Sequence, residues 1–198
     1  MQKQLAAVIL AAGESKRLGR PKQLLEWRNR TLLNHTIDQL APLEVDLYVI
    51  LGAHSDTIVR SLTQQSKVIL YDHWHDGLGS TIAYAAGKLK DDYSHLLFTL
   101  CDLPLIETSF YQSLLDTSRK YPGSLVASKK NGRVMVPAIF NSSAYTELLR
   151  LSGDKGAGEL LNRGKKDVVS LEATDIWMDI DKMADYESLI AREQPGKQ

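Results

Sequence analysis

Apolar and polar positions along the chain fall into alternating patterns. Residues 5–11 (LAAVILA) form an unbroken apolar run, the mark of a strand buried on both faces. Similar runs recur at 46–52 (DLYVILG, closed by Gly52), 67–72 (KVILYD) and 95–102 (HLLFTLCD). Between them, apolar residues return at helical spacing: Leu32, Leu33, Ile37 and Leu40 in one segment, Ile82, Ala85, Ala86 and Leu89 in another. Segments 55–62 and 108–121 also read as helices, with Ser55 and Thr108 as their N-caps. Strand alternating with helix predicts an α/β fold, with a mainly parallel sheet covered by helices on both faces.

After residue 120 the pattern changes. Two extended segments flank Asn131-Gly132, a hairpin dipeptide. Helical stretches at 143–151 and 156–163 follow, then short strands at 167–172 (DVVSLE) and 175–181 (DIWMDID), and a last helix from Ala184. One domain over 1–193 is expected, with a frayed tail at 194–198 containing Pro195 and Gly196.

Composition changes this picture little. The chain has 198 residues, with 24 cations balanced by 24 anions. A dedicated nucleic-acid binder would be basic overall, so that class is disfavoured, while a local cationic pocket for a small anion is not. No apolar run approaches the roughly 18 residues of a membrane span, and the N-terminus does not read as a signal peptide. The single cysteine, Cys101, excludes an internal disulfide and points to a reducing, cytoplasmic setting. It reads as a small buried residue at a strand end, since no base lies near it in sequence.

Ligands of such sheets bind outside the carboxyl ends of the strands. The first of those ends opens into LAAGESKRLGRPK, residues 10–22. The loop is neither a Walker A loop nor a dinucleotide G-x-G-x-x-G. Its small residues Ala11, Ala12 and Gly13 leave room for a ligand against the backbone, and N–H groups from Gly13 onward suit anionic oxygens. Arg17 offers a planar fork for phosphate and Lys22 a point charge. Gly19 and Pro21 bend the loop back. A solvated basic turn is the other reading.

Asp102 ends the fourth strand. A carboxylate there suits Mg²⁺, which takes one or two protein carboxylates plus substrate phosphates, and it equally suits a plain turn. Asp179 and Asp181, two apart on the strand expected at 175–181, would point to one face. Asp181 can instead cap the last helix. In the loop DGLGST, Gly77 and Gly79 allow close backbone approach, and Ser80 either meets a ligand or caps its helix. His73 and His75 flank Trp74; two histidines without a third ligand favour surface or packing roles.

Together these motifs resemble the MobA-like nucleotidyltransferases, and among them the molybdenum cofactor cytidylyltransferases. The opening loop matches at Leu10, Ala11, Ala12, Gly13, Ser15, Arg17, Gly19 and Lys22. KQLLEW, GLGSTIAYA, CDLPLI, VPAIF, LSGDKGAGELL and MDIDKMADY resemble further family segments, so that the likeness spans nearly the whole chain. It departs at Lys182-Met183, where the family has Thr-Pro, and at Gly158, where members often carry Arg.

The resemblance implies a Rossmann-like three-layer sandwich of the nucleotide-diphospho-sugar transferase type, with a mainly parallel mixed sheet. It implies transfer of CMP from CTP to the phosphate of molybdenum-molybdopterin, releasing pyrophosphate. Leu10, Ala11, Ala12, Gly13, Ser15, Gly77 and Ser80 would bind the nucleotide, with Ala12 favouring CTP over GTP. Arg17, Lys22 and Asp102 would act in catalysis. Mg²⁺ would sit on Asp102 with Asp179 or Asp181. Segment 153–158 would reach the second substrate's phosphate. Partners would be a molybdenum hydroxylase and its insertion chaperone. Alternatives are a cytidylyl or uridylyl transferase for a sugar or polyol phosphate, and a non-catalytic carrier of the cofactor. A nicotinamide-dependent dehydrogenase fits poorly, because the glycine fingerprint is wrong.

Overall fold

A computed structural model describes residues 3–63, 66–164 and 167–192. The expected tail at 194–198 lies outside these residues. The strands are β1 (Lys3–Ala11), β2 (Glu26–Trp27), β3 (Arg30–Thr31), β4 (Asp46–Leu51), β5 (Lys67–Leu70), β6 (Tyr93–Leu100), β7 (Leu125–Lys130), β8 (Arg133–Asn141) and β9 (Val168–Glu172). The helices are α1 (Leu32–Leu40), α2 (Ser55–Ser61), α3 (Leu78–Leu89), α4 (Thr108–Lys120), α5 (Tyr145–Leu148), α6 (Gly158–Asn162) and α7 (Met183–Arg192). Seven strands form one sheet in the order β5-β4-β1-β6-β8-β7-β9, and β2 pairs with β3 alone. The pairs β5–β4, β4–β1, β1–β6 and β7–β9 are parallel; β8 runs antiparallel to both β6 and β7. The expected mainly parallel mixed sheet is therefore present.

The unbroken apolar run of β1 is explained by its neighbours. Ala6, Val8 and Leu10 enter one core, with residues of α3, α5 and α6. Ala7, Ile9 and Ala11 enter the other, with residues of α1, α2 and α4. Successive side chains point to opposite faces, so a strand covered on both sides must be apolar at every position. The tip of the β7–β8 hairpin takes positive φ at Asn131 (49°) and Gly132 (81°), the conformation that selects this dipeptide.

Three local expectations are corrected. Ser55 and Thr108 are the first residues of α2 and α4, not their caps. His54 precedes α2 at φ 57°, and the Thr108 N–H is capped by Gln39 Oε1 at 3.0 Å. Residues 177–181 are not a strand. The chain makes a 3₁₀ turn at Thr174–Ile176 and then crosses the carboxyl edge of the sheet, where the Ile180 N–H donates to the Asp102 carbonyl at 3.0 Å.

At the opposite edge, Asp46 accepts from Lys3, Lys67 and the Tyr93 hydroxyl. The Lys3 bond first, then those of Lys67 and Tyr93, hold its carboxyl far below the usual carboxylate range. A depressed folded-state pKa contributes stability above the unfolded pKa of about 4, and loses it as pH falls below that value. Both cations are mostly exposed, so solvent screening leaves about 1 kcal/mol. Asp46→Asn is expected to lower Tm at neutral pH by about 2–4 °C. Thermal melts should show that gap narrowing below about pH 4; a gap independent of pH would contradict the account.

Candidate functional site

The carboxyl edge of the sheet carries a cleft of about 660 Å³, lined by residues of the first loop, the Asp102 turn, the 154–158 segment and the crossing segment. A smaller cavity of about 390 Å³ lies beside it, between the first loop and residues 74–81. Leu10, Gly13 and Ser15 line both; Ala11 lines the larger and Ala12 the smaller.

The first loop owes its shape to few contacts. Ser15 adopts φ 63° and its carbonyl accepts from the Leu18 and Gly19 N–H groups, while its Oγ accepts from the Lys22 N–H at 3.1 Å. Gln23 is buried and its Nε2 donates to the carbonyls of Ala11 (2.8 Å) and Gly13 (2.9 Å). A Cβ placed on Gly13 would meet nothing within 4 Å. The space over Gly13 is therefore open, as a cradle for a ligand requires. Gln23 belongs to the site, and reading the sequence for charge and glycine alone passed over it.

Four charged residues from distant parts of the chain converge here. Lys22 Nζ lies 2.7 Å from Asp102 Oδ2 and 3.0 Å from Asp181 Oδ1. Arg17, largely exposed, reaches Asp181 Oδ2 at 3.3 Å. Burial disfavours the Lys22 ammonium, but the Asp102 charge and the bonds to both carboxylates outweigh it and raise its pKa above the usual lysine value. Burial pushes the Asp102 carboxyl up, and Lys22 partly offsets the rise. Asp102 Oδ1 is buried with no hydrogen-bond partner. An orphaned carboxylate oxygen beside a second carboxylate is a donor set that fits a hard dication.

What gathers these groups is a small apolar cluster. Leu18 of the first loop, Trp27 and Leu32 pack with Ile180 and with Leu189 of α7. Ile180 thereby docks the crossing segment, and its neighbour Asp181 faces Lys22. Asp185 Oδ2 accepts from the N–H groups of Asp181 and Lys182 at 3.0 and 2.8 Å. Asp185, the third residue of α7, thereby bonds back to the N–H groups that precede the helix, and the Asp181 carboxylate stays with the cations. Asp179 lies further out, pairing with Lys130 at 3.5 Å with 54% of its side chain exposed. Lys130 also sits over the Trp177 ring at 5.6 Å, and both line the cleft. Neither residue was picked out from sequence. Since β7 ends at this same edge, the strand-end rule applied to it would have found Lys130.

The other predicted residues are placed as follows. Gly77 lines the smaller cavity, but Gly77 and Gly79 are spent on the chain's own approach. Cβ atoms there would fall 2.4 Å from the Gly153 carbonyl carbon and 2.6 Å from the Lys155 oxygen. Ser80 lines neither cavity: its Oγ donates to the Asp76 carbonyl at 3.0 Å and accepts from the Gly153 N–H at 3.3 Å. In segment 153–158, Asp154, Gly156, Ala157 and Gly158 line the larger cleft, whereas the cation Lys155 turns to Glu159. The side-chain charge this segment brings to the cleft is that of Asp154, negative. Cys101 is fully buried and its thiol is pushed up to about 12, which leaves it unreactive.

A carboxylate–lysine cluster thus lies beside an open glycine at the carboxyl edge of a mainly parallel sheet, the edge where ligands of such sheets bind. The chain belongs to the family of the MobA-like NTP transferase domain, whose profile matches residues 7–168. A homologue of Rv0371c from Mycobacterium sp. strain JC1 superposes with a TM-score of 0.85 at 28% identity, over 97% of this chain and 98% of that one. Rv0371c of Mycobacterium tuberculosis H37Rv, in complex with manganese, superposes with a TM-score of 0.80 at 25% identity, over 96% and 100%. Nicotine blue oxidoreductase of Paenarthrobacter nicotinovorans is 29% identical over 148 residues, 73% of this chain and 63% of that protein. No helix of the described residues is long and apolar enough to cross a membrane.

Proposed function

We propose that this nucleotidyltransferase moves CMP from CTP to the terminal phosphate of a molybdopterin-type acceptor, releasing pyrophosphate. The observation that carries the transfer chemistry is the unpartnered Asp102 Oδ1, set beside Asp181 and Lys22 at the mouth of the Gly13 cradle. A divalent cation held by Asp102 and Asp181, Mg²⁺ or the manganese found with Rv0371c, would neutralise charge on the phosphate oxygens.

The chain's own residues supply position and charge, which is most of what phosphoryl chemistry asks of a protein. The backbone from Gly13 receives the phosphates, with Leu10, Ala11, Ala12 and Ser15 forming the wall beside it. Arg17 holds the leaving pyrophosphate. Lys22 shifts from its carboxylate partners to the α-phosphoryl group. Asp179, tied to Lys130, is assigned to the acceptor side rather than to the metal. Gly77 borders the base cavity, and Ser80 supports that border through the 153 loop. Ala12, on the wall of the smaller cavity, is the residue on which the choice of CTP rests. A molybdenum hydroxylase and its insertion chaperone would receive the product.

The likeness to an oxidoreductase makes a redox reaction the reading to exclude. A panel of NTPs with molybdopterin and Mg²⁺, run beside an assay for electron transfer from NAD(P)H, tests the transfer reading against it. Pyrophosphate and a cytosine dinucleotide product, formed fastest from CTP, are expected. Faster turnover of GTP would remove the CTP assignment. Turnover only with a sugar or polyol phosphate would replace the acceptor. Tight cofactor binding without NTP turnover would make the protein a carrier.

Gly13→Val gives a narrower check. A Cβ there would enter the open cradle with no protein atom within 4 Å. KM for the nucleotide is expected to rise about tenfold or more, with Tm nearly unchanged. An unchanged KM would place the phosphates elsewhere.

A further inference from the structure

The chain leaves β5 through Tyr71-Asp72-His73-Trp74-His75-Asp76-Gly77, whose centre is a 3₁₀ turn at Trp74–Asp76. Two backbone bonds close the turn: the Asp76 N–H to the His73 carbonyl at 3.0 Å, and the Gly77 N–H to the Trp74 carbonyl at 3.2 Å. The turn is held against β4. A Cβ on Gly52 would fall 2.5 Å from Trp74 Cβ, so the absence of a side chain at 52 is what seats the indole. With Trp74 turned inward, its neighbours on both sides face outward. All three of His73, His75 and Asp76 are exposed.

Spacing in the turn brings their donor atoms together. Side chains three apart in a 3₁₀ turn eclipse, which places His73 beside Asp76. The His75 ring centroid is 6.0 Å from that of His73, and His75 Nε2 is 3.4 Å from Asp76 Oδ1. One ligand atom from each residue lies within 4.8 Å of the other two. Asp76 is the third donor that the two histidines lack when the sequence is read alone.

We infer that His73, His75 and Asp76 form a surface site for a borderline transition-metal dication of the Zn²⁺ or Ni²⁺ class, separate from the Asp102–Asp181 pair. Two imidazoles and one carboxylate select such an ion, because Mg²⁺ keeps to oxygen ligands. Bonds of about 2.0–2.2 Å in a tetrahedral shell put neighbouring donors about 3.4 Å apart. Rotation of exposed side chains closes the remaining gap, with the anchored backbone unmoved. Three protein ligands leave a coordination position for water. The Tyr71 ring, 6.2 Å from His73, and the edge-on Trp74 ring, 5.9 Å from His75, flank the two imidazoles. His75 also lines the smaller cavity with Ala12 and Gly13, so the ion would stand at that cavity's rim.

The test needs neither nucleotide nor turnover. Ni²⁺ alone is titrated into the full chain, and the imidazole resonances are followed for paramagnetic broadening. Selective broadening of His73 and His75 is expected, undiminished by excess Mg²⁺. Calorimetry should show the His73→Ala/His75→Ala double variant losing one bound Ni²⁺ per chain, and Asp76→Asn binding it at least about tenfold more weakly. These surface changes leave the core untouched, and matching melts would show that the variants are folded. Broadening confined to other residues, or equal Ni²⁺ stoichiometry in the double variant and the wild type, would overturn the site.

Discussion

Asp102→Asn is expected to lower turnover by about 10³-fold or more while the protein stays folded. Asn matches Asp in shape and keeps an acceptor for Lys22, which lies 2.7 Å from Oδ2. What it removes is charge, at the one carboxylate here with a buried, unpartnered oxygen. A bound dication supplies several kcal/mol of transition-state stabilisation, and each 1.4 kcal/mol is tenfold in rate. Losing a buried charge would leave Lys22 stranded if Asp102 were its sole partner, at a cost of about 3–5 kcal/mol. Asp181, 3.0 Å away, prevents that, so the melt should move far less than the rate. Pyrophosphate release and dication affinity, measured on one preparation, check both halves. Wild-type turnover would remove Asp102 from the chemistry. Asp179→Asn is the matched comparison: exposed and paired with Lys130, it should cost less than about tenfold.

That contrast was only partly legible in the sequence. Asp179 and Asp181 sit two apart, and a strand would have given them one face and one role. The run from Trp177 to Ile180 is apolar enough for a strand, but its partner is not a sheet edge. Ile180 instead buries itself among Leu18, Trp27 and Leu189 above the sheet. This assembly unites residues more than 160 positions apart, so no local window contains it. By contrast β1, β4 and β6 were readable from their apolar runs, because double-sided burial constrains every residue of the strand. The positions after those strands were readable for the same reason: the sheet fixes which edge receives a ligand. Lys22 and Asp102 follow from that rule. Gln23 and Trp177 do not, since each acts through a tertiary contact that no spacing encodes.

The glycines at the start of α3 carry the second large effect. Gly77→Ala is expected to destabilise the protein by about 3 kcal/mol, a fall in Tm of about 6–12 °C. Gly77 has φ 96° and ψ 177°, a region that residues with a Cβ scarcely enter. Its Cβ would also lie 2.4 Å from the Gly153 carbonyl carbon and 2.5 Å from the oxygen. Both obstacles are backbone, so neither can swing aside. Relief requires the 152–155 segment to lift from α3, breaking the bond of the Gly79 N–H to the Gly153 carbonyl at 2.8 Å. Asp154 and Gly156 line the cleft wall, so nucleotide KM should rise along with the loss of stability. Gly153→Ala separates the two causes. Gly153 also has positive φ (63°), but its Cβ would meet nothing within 4 Å. It should incur backbone strain alone, about 1 kcal/mol. If the two variants melted within about 2 °C of each other, close approach of chain to chain would not be what holds residue 77 to glycine. The freedom of Gly77 would then have to be traced to a ligand in the adjoining cavity instead.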